Sequence, residues 1–281
     1  MKDQNPFSLY DFLGYLIPGF LCLLITYYIN QLQNGYEFLC IISNLQLEPS
    51  LAQSIILIIF SYFIGHILNF ISSVTVEKYS YWKYDYPSKY IMGIQHTESY
   101  FIGPTHVIIW RFTVATILFP IVIGDYIFGN KLNFKDVYVK GLDSFLVEAI
   151  KKKGIVLFAK LNLIVPAGRM RQYDYHRIFA HYVIQNSEAT NGKTGNYLAL
   201  YGYLRCMSLI LSFSFWITFY NLCTSIMDYT SIIEYLTAKK NMFFLLFILF
   251  LLCYLSFMAF MKFYRRYSLE NLMAIVTMDL N

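Results

Sequence analysis

Apolar residues in this chain fall into long unbroken runs, and runs of this length predict helices rather than strands. The clearest is 242–261, MFFLLFILFLLCYLSFMAFM, twenty consecutive positions without a charge. As a helix it covers the ~30 Å of a bilayer core. Comparable runs occupy 10–29, 51–71 and 206–227. Ser8 and Asp11 form a capping pattern ahead of the first. Pro18 and Gly19 then predict a kink, because a helical proline lacks its donor and crowds the preceding turn. Only Lys2 precedes this run and no small-x-small cleavage site follows it, so it reads as an uncleaved anchor.

Residues 106–128 are also apolar, but Arg111, Pro120, Gly124 and Asp125 cut the stretch below the ~20 residues that a straight crossing needs. A re-entrant, in-plane or buried segment is expected there, with a full span as the alternative. The fold expected is an all-α integral membrane protein of about four transmembrane helices, with this ambiguous segment and a basic cytosolic insert. Its divisions are an N-terminal hairpin (1–71), the insert (72–202), a C-terminal hairpin (203–263) and a tail (264–281).

Composition agrees with that class, since 14% charged residues stand against 57% hydrophobic ones, where soluble domains carry roughly 25% charged residues. Charge placement adds orientation. Lys262, Arg265 and Arg266 follow the last run, whereas 31–49 contains no Lys or Arg. Clustered cations favour the cytoplasmic side, which puts the C-terminus inside. With four spans and both termini inside, only Lys239 and Lys240 of twenty-two cations lie outside. A fifth span would also expose Lys2, Lys78, Lys83 and Lys89. The tyrosines, tryptophan and lysines of 78–90 suggest anchoring in the headgroup layer. Five cysteines without CxxC or zinc-like spacing read as reduced packing residues.

Between the hairpins, 131–202 carries eleven Lys and Arg against five Asp and Glu. Leu142, Phe145, Leu146, Ala149 and Ile150 make a helical stripe, closed by Lys151, Lys152 and Lys153 with Gly154 as the C-terminal glycine. A second amphipathic helix has Arg171, Tyr175, Ile178, Phe179 and Tyr182 on one side and Asp174, Arg177 and His181 on another. Residues 155–165 fit a strand or a buried helix equally well. Convergent cations bind phosphates or acidic surfaces, so Lys151, Lys152, Lys153, Arg169, Arg171 and Arg177 are candidate ligand-binding residues; setting topology is their blander role.

Two polar stripes mark candidate pore or helix-interface positions. One runs through Ser61, Gly65 and Asn69 with His66 beside it; the other through Ser214, Thr218, Asn221 and Ser225, with Arg205 at the start of its span. Small and polar residues allow close helix packing, the favoured reading, or border water. By this criterion the runs 51–71 and 206–227 are inner helices and 242–261 faces lipid. Arg205 either snorkels to the headgroups or sits in a gate. Four helices leave little room for a pore, so an aqueous path would require a homo-oligomer. No cofactor or metal is expected: His66 lacks a second ligand at helical spacing, His176 and His181 are five apart, and NGKT (191–194) lacks the glycine and strand of a phosphate loop. No enzyme class is favoured.

Three stretches, YDFLGYLIPG (10–19), YFIGH (62–66) and YLRCMS (203–208), resemble those of poorly characterised bacterial multi-pass membrane proteins, some from antiphage defence loci; Hailong-type channels are one comparison. The resemblance implies an effector that permeabilises the inner membrane after infection, under control of a soluble partner or an anionic, nucleotide-like signal. The alternatives are a non-conducting membrane scaffold that recruits a soluble effector and, third, a lipid-modifying enzyme using His66.

Overall fold

The computed structural model describes residues 9–33, 50–94, 100–164 and 174–279. Every regular element among the described residues is helical. Four helices are long and apolar enough to cross a membrane: Phe12–Leu32, Leu51–Ile91, Gly192–Ser225 and Lys240–Thr277.

The expected kink near Pro18 takes the form of a π turn, Phe12–Leu16, just ahead of α1 (Ile17–Gln33). The helix is continuous across it, the Ile17 amide donating to the Phe12 carbonyl, so Pro18 is an interior proline preceded by a wider turn, a setting in which helices bend. α2 (Leu51–Ser72) starts at a capping box in which Ser50 accepts from the Gln53 amide and Gln53 accepts from the Ser50 amide. It continues through a second π turn, Ser73–Glu77, into α3 (Lys78–Tyr84). Asp85, at φ +67°, ends α3, and Pro87 opens the short α4 (Pro87–Ile91).

The ambiguous segment is broken. α5 (Thr105–Ile117) and α6 (Phe119–Gly124) meet at Leu118, and the pair is bent by 87°. Pro120 explains the break, and the indole Nε1 of Trp216 donates to the carbonyls of Thr116 and Ile117 at 3.2 and 3.1 Å. The carbonyls released at the bend therefore have a partner, as apolar surroundings require. α6 runs on through a π turn, Asp125–Lys131, towards α7 (Lys135–Tyr138).

α8 (Ser144–Lys160) corrects two readings. It passes through Gly154 instead of ending there, which makes Lys151–Lys153 mid-helical and 155–160 helix. Gly154 is needed for proximity: a Cβ would lie 2.8 Å from Cζ of Phe179 on α9 (Tyr175–Asn186). α10 (Glu188–Ser225) and α12 (Lys240–Thr277), joined through the short α11 (Ile232–Ala238), are each 38 residues long. At 1.5 Å per residue each measures roughly 57 Å, nearly twice the bilayer core. The boundaries at 202/203 and 263/264 thus fall inside continuous helices, and NGKT lies within α10.

α10 and α12 pack along each other and carry the central core. The lipid-facing reading of 242–261 is corrected for one face only: Cys253, Tyr254, Phe257, Phe260 and Met261 are buried, while Phe244, Phe247 and Leu255 stay exposed. Large apolar rings fill an interface by shape alone, so a polar stripe was not required to bring α12 inside. α2 is the outer helix, with Ile56, Ile59, Phe63 and Phe70 exposed. Beyond the apolar spans, α4, α8 and α9 pack on Leu272, Ala274 and Ile275 of α12 to form a second core.

Candidate functional site

Glycine decides how the first two helices meet. A Cβ on Gly19 would lie 1.8 Å from the Ser61 carbonyl oxygen, and one on Gly65 1.9 Å from that of Tyr15. The stripe through Ser61 and Gly65 is therefore filled by backbone of the same chain. His66 stays on the exposed side, stacked on Tyr15 at 3.9 Å and edge-on to Tyr62. In the second stripe Ser214 donates to the Ile210 carbonyl at 2.8 Å and Thr218 to that of Ser214 at 2.9 Å. Ser214, Thr218 and Asn221 are buried within a single protomer, while Ser225 donates to the Leu222 carbonyl nearer the helix end.

Arg205 is held inside the bundle, which corrects the snorkelling reading. Its Nη1 pairs with Glu77, Nε donates to Ser72 Oγ at 3.2 Å, and Nη2 donates to Asn69 Oδ1. The π turn shifts the helical phase after Ser72, so Glu77 joins Asn69 and Ser72 around one guanidinium. A buried charge is tolerable when paired and hydrogen-bonded in this way. Glu77 was missed in the sequence, although it lies eight residues after Asn69 along the same polar stripe.

A second buried charge organises the segment expected to anchor at headgroups, and corrects that expectation for Tyr79 and Tyr84, whose rings are buried. Asp125 is fully buried, and its carboxylate accepts from Tyr79 at 3.0 Å, Tyr84 at 2.6 Å, Tyr138 at 2.7 Å and the Lys83 ammonium. Tyr79 and Tyr84 thus point inward. Tyr138 has its phenol pKa raised by burial first and by the Asp125 charge second, which keeps it a proton donor. Only Asp125 within an apolar segment hinted at this cluster; its donors come from two stretches, α3 and the end of α7.

Glu77 also lines a cavity of about 680 Å³ between its own π turn, α4, the α8–α9 pair and the projecting parts of α10 and α12. Phe158 and Phe179 stack at 5.6 Å on one side, and Tyr201 stacks on Tyr264 at 4.9 Å on another. Its cations include Lys89, Lys151 and Arg177. Lys89 pairs with Asp85 at 3.5 Å and Arg177 with Asp174 at 3.4 Å. His176 lines the same space, and burial is the main cause lowering its pKa, partly offset by Asp174 and a hydrogen bond to the Ser268 main chain. The volume and mostly apolar lining suit a small organic ligand.

The predicted ligand cations separate. Lys151 and Arg177 reach the cavity; Lys152 is exposed on α8; Lys153 Nζ donates to the Met278 carbonyl at 3.1 Å, at the end of α12. Arg169 and Arg171 lie outside the described residues. No group of His, Cys, Asp and Glu that could hold a metal occurs among the described residues. Compared with protein-family models, curated proteins and solved structures, the chain matches none of them.

Proposed function

We propose that this chain is a membrane-embedded effector that assembles with copies of itself and opens an ion path when an anionic ligand occupies the cavity of its insert. The observation carrying this reading is the double engagement of Glu77, which faces the cavity and holds Arg205 of α10. An anion held in this cavity repels the Glu77 carboxylate, so the ligand has different affinities for the arrangements with Glu77 paired to Arg205 and released from it. Such a difference is what a ligand needs to shift a conformational equilibrium. Exposed His66, with half-buried Tyr62 beside it on α2 and half-buried Tyr15 on the π turn ahead of α1, offers copies a polar surface for contact. Cations after the apolar part of α12 favour a cytoplasmic insert and C-terminus. The bacterial inner membrane and the antiphage role rest on the resemblance of the three short stretches.

Flux from liposomes reconstituted with the full chain tests the proposal. Glu77→Gln removes the charge that holds Arg205, so its basal ion leak should exceed that of the parent chain. Sealed vesicles with both proteins, in the presence of cytosolic extract from infected cells, would reject conduction.

A non-conducting receptor is the second reading. It is favoured by burial of Ser214, Thr218 and Asn221 away from any lumen and by the face of α8 that exposes Phe145, Lys152, Ile155 and Val156. Capture of a soluble partner that is lost with Lys152→Glu would support it.

A further inference from the structure

Lys89 and Arg177 each have a carboxylate partner, and Glu77 is met by Arg205. Lys151 lines the same space at its exposed edge and has no ion-pair partner among the described residues. Nε2 of His176 is buried without a hydrogen-bond partner. Because the Ser268 main chain hydrogen-bonds the ring and burial disfavours its charged form, the neutral imidazole leaves Nε2 as an acceptor. A buried acceptor without a donor is costly, and a ligand that supplies the donor recovers that cost. The remaining surface is largely apolar and aromatic, including Ile155, Phe158, Phe179 and Ile184.

We infer that the cavity takes a small organic monoanion with an aromatic or apolar body and one hydrogen-bond donor, its charge against Lys151 and its donor on Nε2 of His176. This rests on the cavity being the ligand site of the preceding section, and it adds the chemical class. One negative charge matches Lys151, the cavity cation with no ion-pair partner among the described residues, and a second would have to displace Glu77 or Asp174 from its partner. A neutral apolar molecule would leave both Lys151 and Nε2 without a counterpart. The polar groups are few and set apart by apolar wall, the arrangement by which pockets fix orientation.

Binding to the full chain in lipid nanodiscs can be measured calorimetrically with three probes. Indole-3-acetate has the carboxylate, the ring and an N–H; 1-methylindole-3-acetate lacks the donor; indole-3-ethanol lacks the charge. The parent chain should bind indole-3-acetate about tenfold tighter than either analogue, the factor expected from one lost hydrogen bond or charge contact. Lys151→Met should bring the acetate and the alcohol within about twofold while keeping the N–H preference, and His176→Phe should do the reverse. His176→Met serves in place of the ring substitution if thermal melting shows that the latter unfolds the insert. Absence of saturable binding by every probe, or survival of both preferences in both variants, overturns the inference. Ion flux is a separate readout. Selective binding without flux rejects the gating reading alone, whereas flux without these preferences rejects the ligand class alone.

Discussion

Arg205 and Glu77, 128 residues apart in sequence, form an ion pair at the place where the second and third long helices leave the apolar part of the bundle. Asn69 and Ser72 complete the guanidinium's shell, so the charge on Arg205 is matched from one helix and its π turn.

Removing one partner of this pair should cost more than removing both. Glu77→Gln leaves a buried guanidinium without its counter-charge and should destabilise by about 3 kcal/mol, the lower end for buried pairs because Glu77 is a quarter exposed. The double variant Glu77→Gln/Arg205→Met should regain most of that loss. Chemical denaturation in detergent, followed by tryptophan fluorescence, measures the cycle; additive losses would mean that the pair is not coupled.

Asp125 should be the most sensitive single carboxylate in the bundle. Asp125→Leu strands three tyrosine hydroxyls and Lys83, and a loss of roughly 3–5 kcal/mol is expected. Lys83→Met should cost less, because its side chain keeps 22% of its exposure and the tyrosines still serve the carboxylate. Melting midpoints in the same detergent rank the two, and the reverse order would contradict the assignment of Asp125 as the hub.

Glycine substitutions should split in sign. Gly65→Ala pushes a methyl into the Tyr15 carbonyl and should destabilise by about 1–3 kcal/mol. Gly192→Ala, on α10 with nothing within 4 Å of its new Cβ, should stabilise by about 0.5–1 kcal/mol through the backbone entropy of the unfolded chain. A Gly65→Ala variant as stable as the parent chain would show that the contact between α2 and the π turn ahead of α1 is looser than described.

His176 predicts acid sensitivity. Its folded pKa lies below the unfolded value of 6.5, so the folded protein binds fewer protons through that window. Its contribution is fully present above pH 6.5 and is lost as the pH falls through the lowered folded value. Asp174 on its own side and Tyr267 and Ser268 of α12 are the nearby groups, with Glu77, Lys151, Arg177 and His181 elsewhere around the cavity. The melting temperature should drop on acidification from pH 7 to 5, and His176→Phe should flatten that slope. An unchanged slope would assign the acid sensitivity to another group.

The cavity's ingredients were only partly legible. Lys151 and Arg177 stand out as cations, but Lys152 and Lys153 look identical in sequence and diverge because neighbouring helical positions differ by about 100° in direction. Glu77 and His176 gave little signal, since each acquires its meaning from groups more than ninety residues away. Among the anchoring residues, Tyr79 and Tyr84 turned inward because Asp125 offers a buried carboxylate that water would otherwise have to satisfy.

By itself the sequence determined the helical character, the four apolar lengths, the break around Pro120 and the amphipathic pair in the insert, because hydrophobic period and proline geometry act over one or two turns. Tertiary structure decided which helix lies inside, how far α10 and α12 run past the apolar zone, and which charges meet. Burial, pairing and desolvation are properties of surfaces brought together from distant parts of the chain, and no local pattern encodes which surface a residue will face.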